Sequence, residues 1–101
     1  MFIYNITIKV ENTIHREWLE WMQQTHIPHI LGSGKFTHHR LLRLRDIEEQ
    51  EGPTYALQLF AESKALYNAF ITLHLPEMQQ LQMARWGTKM LSFSTLMEIV
   101  H

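Results

Sequence analysis

The chain opens with a run in which Phe2, Tyr4, Ile6, Ile8 and Val10 are apolar while Asn5, Thr7 and Lys9 alternate with them. A period of two puts the five apolar side chains on one face, which predicts a strand with one side committed to a core. From Ile14 the period changes. Ile14, Trp18, Trp21, Met22 and Thr25 recur at helical spacing, with Arg16, Glu20, Gln23 and Gln24 opposite them and Asn12 where an N-cap belongs. This predicts an amphipathic helix lying on a sheet. Pro28 has no N–H and disfavours helix for Ile27, so the helix is expected to stop or kink near His26 and to resume for about one turn before Gly32.

Lys35 to Arg45 is expected to form a second strand, with Leu41, Leu42 and Leu44 in both phases and Arg40, Arg43 and Arg45 keeping one edge wet. Asp46 to Pro53 is polar and acidic and predicts a hairpin connection to a third strand, Thr54 to Glu62. There Tyr55, Leu57 and Leu59 mark one face, Ala56 and Phe60 the other. Ser63 can cap a helix whose stripe is Leu66, Phe70 and Leu73. Pro76 interrupts it, and a further amphipathic segment with Met78, Leu81, Met83, Ala84 and Trp86 runs to Gly87. The last strand, Met90 to Val100, is read as apolar on both faces. Trp21…His26-Ile27-Pro28 is echoed by Phe70…His74-Leu75-Pro76, so the chain reads as two similar halves.

The order strand, helix, strand, strand, helix, strand predicts an α+β fold, the ferredoxin-like βαββαβ arrangement with a four-stranded antiparallel sheet. Helices on one side leave the other sheet face bare. Three of the four strands carry apolar residues on that second face, and the economical cover is the same face of a second copy. A two-fold homodimer with the two sheets face to face, a dimeric α+β barrel, is therefore expected.

Composition narrows the picture. The 101 residues predict a single domain, 1–101, and 46% hydrophobic with 19% charged residues fit a globular chain. A formal net charge of -1 provides no electrostatic footprint for nucleic acid or anionic lipid, and neither is expected as a partner. No apolar run approaches the ~20 residues that span a bilayer, and Lys9 comes too early for a secretory signal. The absence of cysteine fits a reducing cytoplasm, the expected location.

Seven histidines invite a metal. Pro28 disturbs the face shared by His26 and His29, and the adjacent His38 and His39 point to opposite sides of a strand, so no metal and no cofactor is expected. His26 and His74 each stand two residues before a proline, where a ring can satisfy backbone groups freed at the break. His26 also borders the Trp18/Met22 stripe and is the candidate general base. Trp18, Trp21, Met22, Phe70 and Trp86 are the candidate walls of an apolar ligand pocket between sheet and helices, or the filling of a core. Arg40, Arg43 and Arg45 suit a carboxylate, or the acidic hairpin beside them.

Trp18-x-x-Trp21-x-x-x-x-His26-Ile27-Pro28, Gly34-Lys35-Phe36, Gly52-Pro53-Thr54-Tyr55 and Trp86-Gly87…Phe93-x-Thr95-Leu96 together resemble a small bacterial domain-of-unknown-function family. That family is similar to the dimeric α+β barrel superfamily of antibiotic-biosynthesis-monooxygenase-like proteins. The resemblance implies a pocket between sheet and helices, lined by an asparagine of the first strand and by a tryptophan and a histidine of the helices. Asn5 would stand for the asparagine, orienting a ligand by hydrogen bonds, and Phe70 falls where the tryptophan is expected. It also implies cofactor-independent oxygenase- or isomerase-type chemistry on a small apolar or aromatic ligand. A non-catalytic dimeric module with a filled core is the alternative.

Overall fold

The computed structural model describes residues 1–101. Four strands, β1 (Phe2–Val10), β2 (His38–Arg43), β3 (Thr54–Ala61) and β4 (Met90–Glu98), form one antiparallel sheet in the order β2-β3-β1-β4. β1 is central, pairing with β3 from Phe2↔Ala61 to Lys9↔Thr54 and with β4 from Phe2↔Glu98 to Val10↔Met90. This is the expected ferredoxin-like α+β arrangement. The acidic connection does join neighbouring antiparallel strands, with Arg43 in a bidentate pair to Glu49 at 2.9 and 3.2 Å. Of the three arginines, Arg43 goes to the acidic hairpin and Arg40 lies over the Phe60 ring at 5.4 Å.

The helical layer covers one face in two arms. The first comprises α1 (His15–Trp21), a π-helical turn (Met22–His26) and α2 (Ile27–Leu31), continuous in helical geometry. The second comprises α3 (Lys64–Leu73) and α4 (Leu75–Trp86), separated at His74, whose φ of -121° leaves the helical range. Ser63 caps α3, its Oγ accepting from the Leu66 N–H at 3.2 Å. Asn12 does not cap α1: its side chain donates to the Gln50 carbonyl instead, and α1 starts without a side-chain cap.

The even positions of β1 meet the helices, as alternation requires. Tyr4, Ile8 and Val10 pack with Leu57 and Leu59 of β3 against Trp18, Met22, Ile27 and Ile30 from the first arm and Phe70, Met78 and Trp86 from the second. Each such buried side chain contributes about 1.5–3 kcal/mol. Gly52 anchors the β2–β3 connection to the end of β1. A Cβ there would lie 1.7 Å from the Val10 carbonyl oxygen, and that closeness lets the Val10 N–H reach the Pro53 carbonyl at 3.0 Å.

Three expectations need correcting. Leu73 was expected in a buried stripe but is 66% exposed, because α3 ends there and the chain turns at His74. β2 begins at His38 rather than Lys35, since Gly34 adopts a φ of 75° that belongs to a turn. β4 is not apolar on both faces: opposite Ile6 and Ile8 its helix-side residues are Ser94 and Ser92, both exposed because the helices stop short of this edge. Its other side does carry the apolar set Leu91, Phe93 and Met97, with Leu91 63% and Phe93 67% exposed. Leu42 of β2 and Ala56 and Phe60 of β3 share that uncovered face.

Candidate functional site

Two arms side by side leave a groove between them, and the break at Pro28 shapes it. In an α-helix the ring of Pro28 would press on the carbonyl of Gln24 and leave that carbonyl without a donor. The chain widens instead: the Ile27 N–H bonds the Met22 carbonyl five residues back, a π-type closure. This changes which side chains coincide. Five α-helical steps of about 100° would leave Trp21 and His26 about 140° apart around the axis. Through the π turn they stack, ring centroids 4.3 Å apart and planes 16° from parallel.

Trp21 and His26, with Thr25 and His29, form one wall of the groove. Leu81, Ala84 and Arg85, at i, i+3 and i+4 on α4, form the other, around a volume of about 330 Å³. His26 is 3% exposed, and burial together with the nearby His29 pushes its pKa down to about 4. The ring is therefore neutral near pH 7, and its Nε2 accepts from the Gln82 side-chain amide at 3.0 Å, which puts the ring proton on Nδ1. Trp86 lies behind the groove, edge-on to Trp21 at 5.8 Å, with the Arg85 guanidinium over its face at 4.3 Å. Arg85 has no carboxylate partner; the ion pairs are Lys9–Glu51, Arg16–Glu20 and Arg43–Glu49.

The expected site residues are thus dispersed. Trp21 and His26 meet at the groove. Trp18, Met22 and Phe70 are closed inside the core, with exposures of 0, 1 and 1%. They fill the space between sheet and helices where a pocket was anticipated. Asn5 lies on the opposite side of the sheet from His26, beside Gln58 of β3, whose amide donates to its Oδ1 at 3.4 Å. Period two dictates this: if Tyr4 and Ile6 face the helices, Asn5 cannot. Asn5 and His26 therefore share no site within one protomer. Neither break histidine satisfies freed backbone groups, because His26 turns to Gln82 and His74 lies against Phe70, centroids 5.8 Å apart. Nowhere do three or more His, Asp or Glu side chains gather closely enough to hold a metal.

Gln82, Arg85, His29 and Thr25 were not anticipated. The available signal was the 25, 29 spacing beside Trp21 and the 81, 84, 85 spacing on α4, but only the juxtaposition of the two arms makes them one surface. A second concavity lies between α4 and the β4 edge, where Gln79, Gln82, Ser92 and Met83 surround about 400 Å³.

The sequence profile of a domain of unknown function, DUF4286, matches residues 1–100. The chain belongs to this family. Among solved structures, it is similar to a protein of the ethyl tert-butyl ether (EthD) family from Bacillus halodurans C-125. That pair has a TM-score of 0.68 and 15% identity, with 99% of this chain and 100% of the other covered. It is also similar to a dimeric ferredoxin-like protein from an uncultured marine organism, with a TM-score of 0.66, 12% identity and coverage of 99% and 95%. No curated protein matches it. At such identities the likeness is one of fold, which agrees with the sheet order of this DUF4286 chain. No helix is long and apolar enough to cross a membrane.

Proposed function

We propose that this DUF4286 chain acts as a single domain in a cytoplasmic two-fold homodimer, and that each protomer binds a small, largely aromatic ligand in the groove between its helical arms. The observation that carries the ligand reading is the Trp21–His26 stack opening onto about 330 Å³ of space. Its volume is within the range of small-molecule sites, and flat rings suit a flat ligand. The dimer reading rests on Leu91, Phe93, Met97 and Leu42, an apolar sheet face that a second copy would cover at the usual sheet spacing of about 10 Å. A fold neighbour is described as dimeric, which agrees with a two-fold assembly. Asn5 would then belong to the interface, not to the groove.

In this reading His26 is a wall and a hydrogen-bond acceptor, not a proton carrier. Its lone pair is engaged by Gln82, and its lowered pKa makes it a weak base. Oxygenase- or isomerase-type proton chemistry has correspondingly little support. The alternative, a dimeric module with no ligand, is favoured by one observation, the closed packing of Trp18, Met22 and Phe70 beneath the helices.

Native mass spectrometry of untagged protein addresses both parts. A dimer that Phe93→Lys converts to monomer supports the pairing; a wild-type monomer overturns it. Titration with 2-naphthol, followed by NMR, is expected to shift the Trp21, Leu81 and Ala84 resonances together. Unchanged resonances at millimolar ligand would leave the module without a ligand as the better reading.

A further inference from the structure

The groove has a chemical polarity that the aromatic wall alone does not explain. Its seven lining residues include a guanidinium, Arg85, and two imidazoles, His26 and His29, but no carboxylate. Arg85 forms no ion pair anywhere in the fold, although the chain has ten acidic residues. Its guanidinium is instead laid over the Trp86 ring at 4.3 Å, which fixes the charge at the groove while leaving its N–H donors free of acid partners. Trp86 in turn stands edge-on to Trp21, so the cation and the aromatic wall are braced by the same side chain. Gln82, outside this lining, gives one of its amide N–H groups to His26.

We propose, building on the groove reading above, that its ligand is a planar aromatic carboxylate: a hydrocarbon ring lying among Trp21, Leu81 and Ala84, with the carboxylate received by Arg85 and by the exposed His29 and Thr25 at the rim. A guanidinium presents paired N–H donors whose geometry matches the two oxygens of a carboxylate, and the bond is stronger next to apolar walls than in open water. A neutral aromatic of the same shape would leave Arg85 unpartnered and gain only the ring contacts. A ring bearing an alkylammonium group would be repelled. His26 contributes no charge, since burial keeps it neutral, so discrimination for the anion falls on Arg85. The groove thus selects by sign as well as by shape.

The test uses the full-length protein and isothermal titration with three probes of one ring size: 2-naphthoate, 2-naphthamide and 2-naphthol. The expected result is that 2-naphthoate binds at least about tenfold more tightly than the amide or the alcohol, and that raising salt weakens only the carboxylate. Arg85→Gln should remove that tenfold advantage, so that 2-naphthoate and 2-naphthol bind with similar affinity. Ala84→Trp, at an exposed position on α4, should block all three probes without touching the core. Equal binding of all three, or an Arg85→Gln protein that still prefers the carboxylate, overturns the anion proposal while the aromatic groove stands. If none of the probes binds, or Ala84→Trp leaves binding unchanged, the groove reading itself falls and this proposal with it.

Discussion

The two halves carry the same His-X-Pro interruption and resolve it in opposite ways. At His26-Ile27-Pro28 the helix keeps going: a π turn absorbs the missing N–H, His26 turns inward to 3% exposure, and Ile27 is buried. At His74-Leu75-Pro76 the helix breaks: His74 leaves the helical range, and α4 restarts with Pro76 in its first turn. The difference lies in what each break can rest on. Before the first stand Trp21 and the buried Met22, and Gln82 on the other arm meets the histidine. Before the second stands Leu73, exposed to solvent, and the His74 ring, though it lies against Phe70, has no hydrogen-bond partner on the other arm. A proline sets a local constraint, and tertiary partners decide whether the helix bends around it or ends.

The largest test of the comparison removes the aromatic anchor from each half. Trp18→Ala and Phe70→Ala should each cost about 3–5 kcal/mol in urea unfolding. A marked inequality would show that the halves do not share the core evenly. Trp18→Phe should cost clearly less than Trp18→Ala, because it leaves a smaller cavity and, the buried indole N–H having no partner, sacrifices no hydrogen bond.

Acid should single out the first break. The His26 pKa is about 4 in the folded protein against 6.5 for the free side chain, so the unfolded chain binds the proton more readily. The stability this contributes is present above about pH 6.5 and is lost as pH falls toward 4, roughly 3 kcal/mol in all. Unfolding measured across that window should be markedly flatter for His26→Gln than for the wild type. A slope identical in the two proteins would remove the claim that this ring is held neutral by burial.

Smaller effects sharpen the contrast. Gln82→Leu leaves the His26 Nε2 without its donor and should cost about 1–3 kcal/mol, while the same change at exposed Gln80 should be near neutral. Ser63→Ala should remove about 1 kcal/mol by uncapping α3. Asn12→Ala, which uncaps nothing, should cost less in the same denaturation assay.

Much of the architecture was legible because it is written locally. Alternation from Phe2 to Val10, the acidic hairpin, the Ser63 cap and the stop at Gly87 are each decided within a few residues, and their order leaves few topologies. The site was less legible, for two reasons. The apolar stripe of a helix gives no information on whether its partner is the sheet or another helix, so Trp18 and Trp21 looked alike although one is core and the other lines the groove. The association of Asn5 with His26 came from family resemblance and ran against the alternation of its own strand, which puts Asn5 on the far side of the sheet. For Arg85 the 81, 84, 85 spacing marked only a helix face, since its role depends on Trp86 beneath it and on the absence of an acid across the groove.

The π turn also has a meaning in chain length. A π closure accommodates one residue more than the α-helical turn it replaces, so the first arm behaves as a helix with a single-residue insertion. Deleting Thr25 would close the segment as an α-helix up to Pro28, keep Ile27 and Ile30 directed at the core, and leave the histidine four helical steps from Trp21 on the same face, while restoring the proline clash that the π turn relieves. A relative one residue shorter in this segment would keep the fold and the Trp–His wall, and would be expected to carry another residue in place of Pro28.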